Sequence, residues 1–179
     1  MHFINTPLEG VYLIETEKRE DERGFFSRIF CKDEFAKHGI ESQFVQVNNS
    51  LSLKKGTLRG MHYQAPPKGE AKLIRCIQGA FYDVALDLRP ESKTFGISFG
   101  VEISAKNRKM VYVPAGFAHG FLTLQDHTEV LYFVSEMYAP EFEKGVRFDD
   151  PQFNIQWPFS PVVISDKDKN LPGFYTESI

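Results

Sequence analysis

The stretch GTLRGMHYQAPPKGEAKLIRCIQGAFYDVALDL, residues Gly56 to Leu88, decides how the rest of the chain is read. Strand-type residues flank Pro66-Pro67-Lys68-Gly69, a turn signal, so the segment predicts strands on either side of it. They carry His62, Arg59, Lys72 and Arg75, and basic groups gathered on a β framework mark a candidate site. From Lys72 onward, alternation sets Tyr82, Val84, Leu86 and Leu88 on one face and Phe81, Asp83, Ala85 and Asp87 on the other. The second face, apolar and acidic together, fits a cavity lining or an exposed sheet surface. Asp87 and Arg89 are spaced to pair with each other.

Working outward, Gly10 to Glu17 predicts a first strand, Lys18 to Gly24 an exposed loop, and Phe25 to Phe30 a return to strand. A short helix is expected over Glu34 to Lys37, capped by Asp33 and stopped by Gly39, the one helix the pattern places in a β-sandwich expected to carry a few short helices. In FVQVNNSLSL, Phe44 to Leu53, alternation sets Gln46, Asn48 and Ser50 in one row. That row is either a solvated sheet face or the polar wall of a pocket. Downstream, Phe95–Ile103, Met110–Val113, Phe117–Leu124 and Glu129–Val134 read as strands separated by Gly, Pro and charged turns, while Tyr138 to Gly145 is turn-rich. With no helices recurring between the strands, the pattern predicts an all-β sandwich or barrel and argues against a βαβ fold. The tail from Phe153 to Leu171, with Trp157, is expected to pack back over the sheet.

The 179 residues, without repeat or linker, fit a single domain spanning 1–179. Seventeen phenylalanines and seven tyrosines require much aromatic area to be buried, inside the fold or at a subunit contact. A net charge of −3 gives no reason to expect nucleic acid or an anionic membrane as partner. No apolar run approaches the roughly 18 residues of a membrane span, and MHFINTPLEG has no basic segment followed by an apolar run, so neither membrane spanning nor secretion is expected. Two cysteines, Cys31 and Cys76, each among apolar neighbours, read as reduced core residues and favour a cytoplasmic location.

His62 has the chemistry of a general base, since imidazole titrates near neutrality and its second nitrogen can be held by a carboxylate. The competing reading is a packed structural histidine. Lys72 either snorkels to solvent or, with Arg59 and Arg75, contributes positive potential toward a phosphate or an oxyanion. His119 lies where a loop enters a strand. Tyr132 would ordinarily be a core ring, and Asp149, Asp150, Asp166 and Asp168 solvated turn residues. His62, His119 and His127 with Asp83 or Glu129 lack the dense ligand spacing of a metal site, and no phosphate loop, zinc cysteine pair or serine elbow is present.

Taken together, several pieces resemble the dTDP-4-dehydrorhamnose 3,5-epimerase family, which acts on nucleotide-linked 4-keto-6-deoxy sugars. They are RGFF at Arg23–Phe26, QVNNS at Gln46–Ser50, LRGMHYQ at Leu58–Gln64, KLIRCIQGAFYDVALDLR at Lys72–Arg89, VPAGFAHGF at Val113–Phe121, Tyr132, DDP at Asp149–Pro151 and SDKD at Ser165–Asp168. They occur in family order over nearly the whole chain.

The resemblance implies a cupin-type jelly roll, a homodimer, no cofactor or metal, and C3 and C5 epimerisation by proton abstraction beside a ketone. By that match His62 is the base, Asp168 its acidic partner, Lys72 the group beside the C4 oxygen and Tyr132 the proton donor on the opposite face. Substrate contacts are expected from Arg23 and Arg59 at the phosphates, Gln46 and Asn48 near the nucleoside, Phe26 against the base, and from His119 and Tyr138. The chemistry is coherent without the match: an enolate needs a cation where its charge develops, and inversion needs two proton carriers on opposite faces. A single-carbon epimerase or ketoisomerase on a dTDP- or CDP-sugar, and a carbohydrate-binding sandwich without catalysis, are the alternatives. Two positions depart from the family pattern, Arg28 in place of glutamate and Glu70 in place of glutamine. Its product would feed deoxysugars into surface polysaccharide or other glycosylated products.

Overall fold

A computed structural model describes residues 1–40 and 43–174. In chain order the strands are β1 (His2–Asn5), β2 (Tyr12–Glu15), β3 (Lys18–Asp21), β4 (Gly24–Ser27), β5 (Gln46–Ser52), β6 (Thr57–Gln64), β7 (Lys72–Gln78), β8 (Ala80–Asp87), β9 (Ser98–Ser104), β10 (Met110–Val113), β11 (Phe117–Thr123), β12 (Thr128–Val134), β13 (Glu143–Gly145) and β14 (Val163–Ile164). Two short helices, α1 (Lys32–Lys37) and α2 (Asp166–Lys169), and a 3-10 turn at Pro140–Phe142 complete the described elements.

The strands form a sandwich. One sheet runs β1-β2-β10-β7-β12-β5, the other β13-β6-β11-β8-β9, with β14 pairing in parallel against β6. The fold is thus the all-β, cupin-like sandwich expected. The strands on either side of the Pro66–Gly69 turn do not pair: β6 belongs to one sheet and β7 to the other, so Arg59 and His62 come from one wall of the interior and Lys72 from the other, while Arg75 alternates to the opposite face of β7 and lines neither hollow of that interior. Aliphatic and aromatic side chains close much of that interior, with Ile74, Cys76 and Val130 from one sheet meeting Phe81, Phe117 and Phe121 from the other. Phe81 and Phe121 lie 5.1 Å apart, and burying each ring contributes about 2–3 kcal/mol.

Several local expectations need correction. The helix α1 begins one residue before Asp33 and has Cys31 as its N-cap, with no side-chain cap; the Cys31 carbonyl accepts from Phe35 N–H instead, at 3.0 Å. Asp33 and Glu34 occupy its first turn, where carboxylates suit the helix dipole. Lys18–Asp21, expected as loop, is β3. It forms a hairpin with β4, and strand character stops at Ser27 rather than Phe30. A second short helix, α2, stands where the sequence pattern places none; Ser165 caps it by accepting from Asp168 N–H at 3.1 Å. The tail does pack back: Trp157 meets Tyr82 edge-on and β14 extends the second sheet.

Candidate active site

The site starts from a disturbance in β6. Gly60 has φ +122, and a Cβ there would stand 2.5 Å from Gly120 Cα, so only glycine lets β6 and β11 approach this closely. The β6–β11 register slips between His119 and Phe121, opposite Gly60, a local irregularity of the kind that re-aims side chains beside active sites. His62 follows. Its Nε2 lies 2.8 Å from Asp168 Oδ1, and the other Asp168 oxygen accepts from Gly60 N–H at 3.2 Å.

Asp168 is 4 % exposed, which overturns the solvated-turn reading for this residue. Burial pushes its carboxyl up, but hydrogen bonds from His62, Gly60 and Ser165 and the charge of His62 outweigh it and hold the group below its ordinary value. An ionised carboxylate on Nε2 leaves the remaining ring nitrogen to take a proton and stabilises the imidazolium that results. Asp150 is also buried, accepting from Phe174 N–H at 2.7 Å, and is structural.

From the facing sheet comes Lys72 at the start of β7. Its Nζ lies 3.0 Å from Glu70 Oε1 and 3.4 Å from the His62 carbonyl oxygen. Tyr132, on β12 between Asn48 and Ile74, has its phenol pushed up first by burial and then by the Glu70 charge, against a lowering from Arg59. The phenol is therefore held in its protonated, donor form. His62, Asp168, Lys72, Tyr132, Arg59 and His119 all line one cavity of about 490 Å³, within the roughly 300–1,000 Å³ of small-molecule sites.

A second hollow of about 320 Å³ shares His62, Lys72 and Tyr132 and adds Gln46, Asn48, Glu70, Tyr138 and Glu143. The polar row of β5 thus faces inward, and Val47, Asn49 and Leu51, which alternate with it, are exposed. Gln46 Oε1 accepts from Tyr138 N–H at 2.8 Å, and the Tyr138 hydroxyl donates to Glu143 at 2.8 Å. Gln64, buried, pins both adjoining loops through the Lys68 carbonyl at 2.9 Å and Ala139 N–H at 2.7 Å. Arg59 is tied to Ser52 Oγ and the Leu51 carbonyl, both at 3.2 Å.

Two expected substrate contacts lie elsewhere in the chain. Arg23 and Phe26 sit on the β3–β4 hairpin, outside both sheets; Arg23 pairs with Asp21 and Phe26 is 63 % exposed. Neither lines the cavity. Arg28, the first departure, pairs with Glu34 at 3.3 Å near the N-terminus and also lies away from the cavity. Glu70, the second, lines the hollow beside Lys72. Among the described residues no three His, Cys, Asp or Glu side chains are grouped to hold a metal ion, and no helix is long and apolar enough to cross a membrane.

A family model for dTDP-4-dehydrorhamnose 3,5-epimerase matches residues 5–176. The chain belongs to this family. It is 46% identical over 171 residues to the dTDP-4-dehydrorhamnose 3,5-epimerase of Methanothermobacter thermautotrophicus, covering 94% of this chain and 91% of the relative. The crystal structure of the Elizabethkingia anophelis dTDP-4-dehydrorhamnose 3,5-epimerase superposes with TM-score 0.94 at 41% identity, over 97% of this chain and 96% of that one. That of the Bacillus anthracis enzyme, with TDP and pyrophosphate bound, gives TM-score 0.92 at 43% identity, over 97% and 99%.

In this family member sequence reasoning misses mainly pairings: Asp83 is noticed on the second face of β8 but not as the partner of His119, and Ser165 and Glu143 are given no role of their own. Asp83, 1 % exposed, lies 2.7 Å from His119 Nε2, so a second His–Asp pair adjoins the first, with His119 opposite His62 in the β-ladder. His119 lies within β11, not where a loop enters it. An aspartate among apolar residues of β8 was the available signal for Asp83. Ser165 could have been found from its place three residues before Asp168, the spacing of a helix cap. Glu143 carried no signal; it is held by Lys167 at 2.7 Å.

Proposed function

We propose that the chain epimerises a dTDP-linked 4-keto-6-deoxy sugar at C3 and C5, converting dTDP-4-dehydro-6-deoxyglucose to dTDP-4-dehydrorhamnose. The observation that carries the reading is that the hydrogen-bonded His62–Asp168 pair, the Lys72 ammonium and the Tyr132 phenol line one sugar-sized cavity. His62 takes the proton from the carbon beside the ketone, breaking C–H and forming N–H. The electron pair moves onto the C4 oxygen, where Lys72 meets the charge as it develops. Tyr132 then gives its O–H proton to the opposite face of the same carbon, and the imidazolium and phenolate return to their starting states through solvent. Arg59 serves the phosphates, and Gln46, Asn48, His119 and Tyr138 orient the substrate. No step calls for a metal or an organic cofactor.

The reading includes a homodimer. The edge strand β5 exposes Val47 and Leu51, flanked by the exposed Val45 before it and Leu53 after it, an apolar edge that a second copy of the chain can cover. Arg23 and Phe26, held away from their own cavity on a projecting hairpin, act on the substrate bound by the partner. The enzyme works as a single domain in the cytoplasm, in keeping with its reduced cysteines.

The test is incubation with dTDP- and CDP-linked 4-keto-6-deoxy sugars in deuterated water, following each ring position by NMR. Exchange with inversion at C3 and C5 of the dTDP-sugar is expected. Reaction at a single carbon, movement of the ketone, or binding without exchange would each replace this reading with a different one.

A further inference from the structure

Glu70 lies in the segment leading into β7, and its carboxylate is 3.0 Å from Lys72 Nζ with both side chains only 12 % exposed. A pair this enclosed is not the solvated surface bridge whose contribution is small. The same carboxylate acts on Tyr132, adding to burial in pushing the phenol up. One acidic group therefore faces both the cation that meets the enolate and the acid that completes inversion.

We propose that Glu70 is a positioning residue of the epimerisation, holding the Lys72 ammonium at one point of the cavity while its charge restrains proton donation by Tyr132. The inference rests on the roles assigned above to Lys72 and Tyr132. Once the enolate forms, its oxygen and the Glu70 carboxylate share one ammonium, so the stabilisation reaching the enolate is divided. When Tyr132 gives up its proton, a phenolate is left facing a carboxylate, an unfavourable like-charge pair.

The other charged or titratable groups lining the two hollows around Tyr132 are Lys72 on its own sheet, Arg59, His62 and Tyr63 on β6, His119 on β11, Tyr138, Glu143 on β13, and Lys167 and Asp168 on α2, with Asp168 hydrogen-bonded to His62. Arg59 favours the phenolate, and Glu143 is already paired with Lys167 at 2.7 Å. The neighbouring β5 contributes the neutral Gln46 and Asn48. Glu70 is thus the charge that most directly sets how the enolate divides. Return of a proton from His62 gives exchange without inversion, and donation from Tyr132 gives inversion. A glutamine here keeps the size and a hydrogen bond to Lys72 while removing both penalties.

The experiment compares wild type, Glu70→Gln and Glu70→Asp in deuterated water with dTDP-4-dehydro-6-deoxyglucose, counting deuterium incorporated and stereocentres inverted. In parallel, the Tyr132 phenol is titrated by NMR of ring-labelled tyrosine, its resonance assigned with Tyr132→Phe. Glu70→Gln is expected to raise inversions per exchange event several-fold and to move the Tyr132 titration down by roughly one pH unit. Glu70→Asp, which keeps the charge, is expected to stay near wild type in both. If wild type exchanges deuterium but Glu70→Gln leaves the ratio and the titration unmoved, or slows both steps equally, the role of Glu70 is refuted while the assigned reaction stands. If wild type exchanges no deuterium, the assigned reaction itself fails.

Discussion

Asp168 Oδ1 stands 2.8 Å from His62 Nε2 although the two lie 106 positions apart in the chain. The carboxylate reaches the imidazole because β14 pairs in parallel with the start of β6 and α2 turns the chain inward directly afterwards. Replacing Asp168 by asparagine keeps the shape of the contact but removes the charge that stabilises an imidazolium. Solvent-deuterium exchange beside the ketone should fall roughly 100-fold or more, with nucleotide affinity little changed by titration calorimetry.

Tyr132→Phe separates the two proton transfers. The base and the cation remain, so exchange should persist while net inversion falls by a larger factor, measured on one sample by NMR. Product formation at the wild-type rate would remove Tyr132 from the donor role.

Gly60→Ala tests the close approach of β6 and β11. With φ +122 and the added methyl 2.5 Å from Gly120 Cα and 2.8 Å from the His119 carbonyl, both contacts being backbone, little can yield. A loss of more than about 2 kcal/mol in urea unfolding is expected, together with lower activity, since His62 and Arg59 flank the bend.

Acid sensitivity should centre on Asp87 at the end of β8. Burial pushes its carboxyl up, but Arg89, Ser92 and Thr94 hydrogen-bond it and take it down to about 2. The folded protein then binds this proton less tightly than the unfolded chain does. The stabilisation is complete above the ordinary carboxylate range near pH 3.8 and is lost as pH falls through about 2. It amounts to about 2 kcal/mol, and Asp87→Asn should flatten that part of the stability–pH curve in urea titrations.

The proposed dimer is checked by paired substitutions. Val47→Glu with Leu51→Glu should give a monomer by size-exclusion with light scattering, and wild type a dimer. Mixing inactive His62→Ala and Arg23→Ala proteins should restore partial activity, because a mixed dimer contains one site with both residues intact. A mixture no more active than its parts would return the hairpin to a purely structural role.

Much of the architecture is legible in the sequence because strand burial follows a period of two. The inward row of Gln46, Asn48 and Ser50 is there to be seen, although periodicity alone leaves pocket and solvent as equal readings; the exposed Val47 and Leu51 decide between them only once the sheet is seen. Strand order is another matter. β2 pairs with β10 and β7 with β12, contacts between distant segments that no local pattern encodes. The helix α2 has four residues, too few for a helical period to register, so Asp168 reads as a turn residue until its partner is known. His62, Lys72 and Tyr132 stand out by residue type and resemblance, whereas Asp83 and Glu143 matter through what they touch.

The parallel pairing of β14 with β6 has a consequence for biosynthesis. Every strand of both sheets precedes Asp168 in the order of translation. Synthesis therefore lays down the strands of both sheets, and His62 with them, before the carboxylate that pairs with the imidazole exists. The imidazole gains that counter-ion only when α2 has been made and has docked beside β6.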